Sequence, residues 1–253
     1  MAQDVNSPHY TIGVIGTGTM GRGIAQISVA GGFKVKIFDS EKGAAQKAEE
    51  FIHRMIKRSA EKGQISEIEA EAANARLNIV ESLADFADCS LVIEAIVENL
   101  DIKRAVFSEL EGIVAEDTIL ASNTSSLSVT QIAAGCEKPD RVAGYHYFNP
   151  VPLLKVVEVV DGQMTAPWVV DKLDVIARKC GHEPVRTRDT PGFLVNHAGR
   201  GLYTEGARIL AEGIAEQHQV DDVLREGGAN FRMGPFELMD TTGLDVSGVV
   251  MES

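Results

Sequence analysis

Cysteine is scarce in this chain. Cys89, Cys136 and Cys180 are the three in 253 residues, odd in number and far apart, so neither a disulfide framework nor a CxxC metal site is encoded and no metal is expected. Free thiols fit a reducing compartment, and a cytoplasmic location is expected. No apolar run approaches the ~20 residues that span a bilayer, and the polar start, Met1 to Tyr10, has neither the basic region nor the apolar stretch of a signal peptide. Positive charge is also in deficit. The 24 Lys and Arg stand against 37 Asp and Glu, a formal net charge of −13, which offers nucleic acid no attracting field and a membrane no polybasic tail. A substrate carrying phosphates must then be drawn by a local patch. What is present, 44% hydrophobic and 24% charged residues, suits a soluble globular chain with one large core or two smaller ones.

Near the start, Thr11-Ile12-Gly13-Val14-Ile15 reads as a strand. Gly16-Thr17-Gly18-Thr19-Met20-Gly21 follows at once and opens a helix that runs to about Ala30, where Gly31-Gly32 stops it. A second strand, Lys34 to Phe38, ends at Asp39. Strand, glycine turn, helix, strand and acid together form a dinucleotide-binding unit. Gly16 makes the tight turn, Gly18 lets the backbone approach a pyrophosphate, Gly21 allows close helix–strand packing, and the helix amino end favours the anion. Asp39 would accept from an adenosine ribose hydroxyl. Neither Ser40 nor Glu41 could pair with a 2′-phosphate, so NAD is favoured over NADP.

From Glu41 to about Arg76 the chain is charged, Ala-rich and helix-prone, broken near Gly63, which suggests a helix pair inserted in the nucleotide-binding domain. Arg54, Arg58 and Lys62 repeat at helical spacing, either as a face for anionic phosphates or as an ordinary solvated face. Strands are then expected at Ser90–Ile93 and Thr118–Leu120, with helices at Asp101–Val114 and Val129–Ala134. A strand at Arg141–Tyr145, another at Val156–Val160, a helix from Ala166 to Cys180 and a strand at Pro184–Arg186 complete the series. The fold class is α/β, a Rossmann-type doubly wound, mostly parallel sheet over residues 1–188 with the helix pair at about 41–76. A smaller all-α domain follows over 189–253, with helices expected at Phe193–Gly213, at Val220–Glu226 and from Phe236. Leu244, Val246, Val249 and Val250 begin an apolar helical pattern with no capping signal before Ser253, so the chain is expected to be part of a longer protein.

Chemistry gathers downstream. His146 stands just past the short apolar strand at Arg141–Tyr145, at its carboxyl end, the edge where open parallel sheets bind ligands. Val156-Val157-Glu158-Val159-Val160 sets one carboxylate among four valines, and a buried carboxylate needs a partner. His146 is the candidate. A carboxylate on one imidazole nitrogen fixes the tautomer and stabilises the imidazolium, leaving the other nitrogen to exchange a proton with substrate. The alternatives are a hydrogen-bonded core or surface histidine, and a Glu158 on a half-exposed edge strand.

Taken together, Gly16 to Gly21, Glu94-Ala95-Ile96-Val97-Glu98-Asn99, Ser122-Asn123-Thr124-Ser125-Ser126, His146-Tyr147-Phe148-Asn149-Pro150 and Thr190-Pro191-Gly192-Phe193-Leu194-Val195-Asn196 resemble the L-3-hydroxyacyl-CoA dehydrogenase family. The match runs from about residue 10 to 250. The resemblance implies that His146 is the acid/base, that Glu158 is its partner, and that Ser125 and Asn196 contact substrate oxygens. It places Glu98, Lys103 and Asn123 along the nicotinamide end of NAD, beside Gly16, Gly18, Thr19, Met20, Gly21 and Asp39 at the glycine turn, and it lets the helix pair help hold coenzyme A. It also implies fatty acid β-oxidation chemistry and a dimer contact in the carboxyl-terminal helices. Asn196-His197-Ala198-Gly199-Arg200-Gly201 looks closer to longer relatives with two such helical domains, so the partner is expected to be a homodimer mate or a missing domain.

Two departures stand out, Tyr147 where Phe is commoner and His197 where Arg is usual. His197 reads either as a second polar group near the site or as a helix-surface residue. The resulting expectation is NAD-dependent interconversion of a 3-hydroxyacyl-CoA and its 3-oxoacyl-CoA. Two alternatives stay open, a dehydrogenase of the same architecture for a free hydroxy acid and an NAD-binding protein without catalysis.

Overall fold

A computed structural model describes residues 4–243 of the chain, which divides between Asp189 and Thr190 into two compact units. The first unit holds a single sheet of eight strands, β1 (Thr11–Ile15), β2 (Lys34–Phe38), β3 (Leu77–Ile79), β4 (Leu91–Glu94), β5 (Ile119–Ser122), β6 (Val142–Tyr147), β7 (Val156–Asp161) and β8 (Glu183–Arg188). Their order is β3-β2-β1-β4-β5-β6-β7-β8. Every pairing is parallel except β6 with β7. Because β2 lies on one side of β1 and β4 on the other, the chain reverses its winding direction there. That opens a crevice at the carboxyl ends of β1 and β4, where doubly wound sheets take their ligands.

Covered on both faces, β1 needs no polar alternation, and all five of its residues are buried. The same unit contains α1 (Thr19–Ala30), α2 (Ala44–Glu61), α3 (Glu67–Asn74), α4 (Leu100–Glu111), α5 (Val129–Ala133) and α6 (Pro167–Lys179). The helix pair α2–α3 is anchored by one apolar stripe, Ala45, Ala48, Ile52 and Ile56. Ile52 is fully buried, and truncating it to Ala should cost about 2–5 kcal/mol. A capping box, Ser66 with Glu69, starts α3.

The second unit contains α7 (Val195–Ala211), α8 (Gln217–Glu226) and α9 (Pro235–Thr242). Asp221 of α8 accepts from the backbone N–H groups of Phe236 and Glu237, satisfying the first turn of α9.

Several expectations are corrected. The short strand β3 was not anticipated, since it has three residues of which only Leu77 is buried. The strand before His146 is longer than expected, because pairing with β7 runs through Tyr147↔Val157, so His146 lies inside β6 rather than past its end. Helix α7 begins at Val195 and not at Phe193, where φ is 47° after a left-handed Gly192 at φ 73°. Flanked by β6 and β8, β7 is an interior strand, which removes the edge-strand reading of Glu158. The apolar pattern at Leu244, Val246, Val249 and Val250 falls outside the described residues.

Candidate active site

At the glycine turn the three glycines do different work. Gly16 adopts φ 84°, and a Cβ there would lie 2.5 Å from the Ala95 carbonyl oxygen. A Cβ on Gly21 would lie 1.8 Å from the Gly16 carbonyl oxygen, so the turn and α1 touch backbone to backbone. Gly18, the N-cap of α1, has nothing within 4 Å of the position a Cβ would take. The open space is thus at the residue whose backbone must approach a phosphate, with the unsatisfied N–H groups of α1 beside it. Thr19 is exposed there, while Met20 packs against the core. The turn therefore fits a dinucleotide pyrophosphate.

Asp39, at the end of β2, is tied to the same turn. Its Oδ2 accepts from the Thr17 N–H at 2.6 Å and the Thr17 hydroxyl at 2.8 Å, and Oδ1 accepts from the Glu41 N–H at 2.9 Å. Burial alone would raise its pKa, but these bonds outweigh it and hold the carboxyl below its ordinary value. Asp39 thereby shapes the turn, and Thr17, which sequence reasoning passed over, is its partner.

An ionic network, buried at Lys103 and Glu94 and exposed at Glu98, lies at the ends of β4 and β5. Lys103 of α4, 1% exposed, donates to Glu94 Oε1 at 2.6 Å and sits 3.2 Å from Glu98 Oε2. Glu94 also accepts from the Ser122 hydroxyl at 2.7 Å and the Ile96 N–H at 2.7 Å. Glu98 accepts from the Thr124 hydroxyl at 2.5 Å and the Ser126 hydroxyl at 2.9 Å, and from the Ser125 and Ser126 N–H groups at 3.3 Å. Burial would raise the Glu98 pKa, yet the Thr124 hydroxyl, the Lys103 charge and the Ser126 hydroxyl together lower it. Exposed Ser125 thus sits in a loop that Glu98 holds by its backbone. Asn123 accepts from the Tyr147 N–H at 2.9 Å, joining this loop to β6. Glu94 was not singled out beforehand, although an acid closing the apolar strand Leu91-Val92-Ile93 obeys the rule that marked Glu158.

The dyad itself is formed across β6 and β7. His146 and Glu158 are paired residues in the antiparallel register, and His146 Nδ1 lies 2.6 Å from Glu158 Oε2. The imidazole is 7% exposed and the carboxylate 0%. The Phe148 ring packs on the imidazole with centroids 4.5 Å apart. Tyr147 points the other way, buried edge-on to Tyr145 and His182, so its added hydroxyl joins the core. In the second unit, Asn196 lies in the first turn of α7, half-buried, and His197 beside it is exposed.

Within the first unit, a groove of about 1070 Å³ runs along α1, the helix pair and the segment between β6 and β7. Arg58 and Lys62 line it, joined by Arg22 of α1, whose guanidinium stacks 4.1 Å from the centroid of the Phe51 ring. Arg54 lies beside the same ring at 5.5 Å. Among the described residues no helix is long and apolar enough to cross a membrane.

Known proteins resemble this chain in sequence and fold. Residues 11–190 match the family model for the 3-hydroxyacyl-CoA dehydrogenase NAD-binding domain, and residues 192–253 match the carboxyl-terminal domain of the same family. A 3-hydroxyadipyl-CoA dehydrogenase of Escherichia coli is 42% identical over 95% of the chain. The chain spans 50% of that protein's length. A 3-hydroxybutyryl-CoA dehydrogenase of Clostridioides difficile is 37% identical over 95% of the chain and 85% of its own length. A crystal structure of (S)-3-hydroxybutyryl-CoA dehydrogenase from Ralstonia eutropha superimposes with a TM-score of 0.92 at 36% identity, covering 96% of the chain and 85% of that structure.

Proposed function

The chain belongs to the 3-hydroxyacyl-CoA dehydrogenase family, and from that membership we propose that it interconverts a 3-hydroxyacyl-CoA and the corresponding 3-oxoacyl-CoA with NAD. The observation that carries the chemistry is the His146–Glu158 pair at 2.6 Å. With Nδ1 engaged by a buried carboxylate, proton exchange with a substrate hydroxyl falls to Nε2. Bound at the glycine turn, NAD supplies the hydride acceptor. As the hydroxyl proton moves to His146, positive charge forms on the ring where Glu158 neutralises it, and the carboxylate needs no reorganisation because it is already in place. Ser125 is the donor that steadies the substrate oxygen. Asp39 accepts from the ribose. Glu98 and Asn123 border the nicotinamide end, while Lys103 supports that edge through its two carboxylates.

The thioester reading is supported by the groove, which Arg22, Arg58, Lys62, Arg76 and Lys155 line with Glu69 as the one acid among them, in a chain of net charge −13. Such a site suits the phosphates of coenzyme A, and a free hydroxy acid would have no use for it. Localisation in the cytoplasm and pairing with a second copy or a further helical domain belong to the same proposal.

The test is NADH oxidation with acetoacetyl-CoA and, separately, acetoacetate. Turnover of the thioester alone is expected. His146→Gln should abolish it while NADH still binds, since the dyad is remote from the pyrophosphate turn. Absence of turnover with several acyl lengths in a folded protein would refute the reading.

A further inference from the structure

Asp189 closes the first unit and takes no part in the mechanism above. Its Oδ2 accepts from the Ser128 hydroxyl and from the Thr130 N–H, both at 2.7 Å, and its Oδ1 accepts from the Val129 N–H at 3.0 Å. These donors form the amino end of α5, whose first N–H groups have no intrahelical partner. Ser128 is the N-cap and accepts from Gln131 N–H at 3.2 Å, so it serves the helix and Asp189 at once. The backbone N–H of Asp189 in turn donates to the carbonyl of Asp161, at the end of β7, at 3.2 Å.

One residue therefore links two parts of the site. Through Asp161 it is fastened to the strand that carries Glu158, and through its carboxylate to the segment that follows Ser125. On the other flank Glu98 grips Thr124, Ser125 and Ser126. The Ser125 loop is thus clamped at both ends by carboxylates that lie outside it. Ser128 satisfies only the Gln131 N–H, and the Val129 and Thr130 N–H groups are taken by the Asp189 carboxylate, brought from a distant part of the chain.

We propose that Asp189 is a positioning residue for the dehydrogenase reaction. It ties the segment after Ser125 to the far end of β7, the strand whose Glu158 pairs with His146, so that the Ser125 hydroxyl and the imidazole keep the spacing a single substrate oxygen demands. The inference rests on the proposed role of Ser125. Misplacing a catalytic group by about 1 Å can cost roughly 10²-fold in rate, whereas the cofactor turn is built from other elements and is left untouched.

The test is a double-mutant cycle in the full chain with acetoacetyl-CoA and NADH. D189A should lower kcat by about 10- to 100-fold and leave the NADH Kd unchanged. In an S125A background, D189A should cost nothing further, because no hydroxyl remains to be positioned. An equal loss in both backgrounds, or a D189A kcat within twofold of the parent, overturns the proposal. The single S125A variant separates the two readings, since undiminished turnover there refutes the role of Ser125 itself. Amide hydrogen exchange across residues 123–130 provides a readout independent of activity. It should accelerate in D189A, and unchanged protection also overturns the proposal. Should D189A fold poorly, D189N and S128A loosen the same clamp more gently, with the same coupling to S125A expected.

Discussion

His146 and Glu158 face each other across the antiparallel pair β6–β7, with Nδ1 of one 2.6 Å from Oε2 of the other. Side chains at paired positions share one face of a sheet, so the contact is set by strand register rather than by loop geometry. Glu158→Gln keeps the volume and the strand but removes the charge that balances an imidazolium. The expected outcome is a kcat lowered by roughly 10²- to 10⁴-fold with little change in Tm. Steady-state kinetics with acetoacetyl-CoA and thermal melts of the same preparation check it. Parent-like turnover would mean that the pair only packs.

Gly18 and Gly21 separate binding from folding. Gly18→Ala places a methyl group in open space at a φ of −60°, which any residue adopts. Its Tm should stay at the parent value while the NADH Kd rises by about tenfold or more, since about 1.4 kcal/mol of lost contact suffices. Gly21→Ala puts a methyl 1.8 Å from the Gly16 carbonyl oxygen, so backbone must move. A Tm drop of more than about 4 °C is expected. NADH titration by fluorescence and differential scanning calorimetry give the two readings, and the reverse pattern would contradict the assignment of the open space to ligand.

The first strand, glycine turn and helix were legible because their signals are local. Thr11–Ile15, Thr19–Ala30 and Lys34–Phe38 fall where the residues place them. The dyad was legible for another reason, that a carboxylate among four valines must find a partner. What was missed depends on pairing across the sheet. β3 exists only because β2 offers it an edge, and β6 extends through His146 because β7 pairs with it. The antiparallel sense of β6 and β7 could have been read, since the stretch from Phe148 to Lys155 is too short for a parallel crossover. The capping box at Ser66 and Glu69 was also there to be read, and it fixes the start of α3. The Glu94–Lys103–Glu98 network was not legible as a whole. Each member looks ordinary in sequence, and only the approach of β4, α4 and the Ser122 loop brings them together.

Glu98 makes stability depend on pH. Its folded pKa is lowered, so its contribution is full above the unfolded value of about 4.3 and is lost as pH falls through the lower folded value. Glu98→Gln should therefore shift the urea midpoint downward at pH 7, and the difference from the parent should shrink as pH falls below about 4. Urea titrations at several pH values check this. A difference that stays constant over the range would place the effect in packing rather than charge.

The groove cations give the sharpest test of substrate class. Arg58 and Lys62 sit in the last turn and at the C-cap of α2, where both line the groove and neither belongs to the core. Arg58→Glu combined with Lys62→Glu reverses two charges on a solvent-facing surface, so Tm should change little. If coenzyme A phosphates lie there, KM for acetoacetyl-CoA should rise by about tenfold or more, the equivalent of about 1.4 kcal/mol, while kcat at saturation and the KM for NADH stay near the parent values. The parent KM should also rise with added salt, as expected for contacts between exposed charges, and the doubly reversed variant should lose that salt dependence. A short thioester lacking the nucleotide, such as an N-acetylcysteamine analogue, has no phosphates to lose, so the parent and the variant should turn it over equally. If the variant is impaired on the analogue to the same degree, the groove acts on the fold of the helix pair and holds no phosphate.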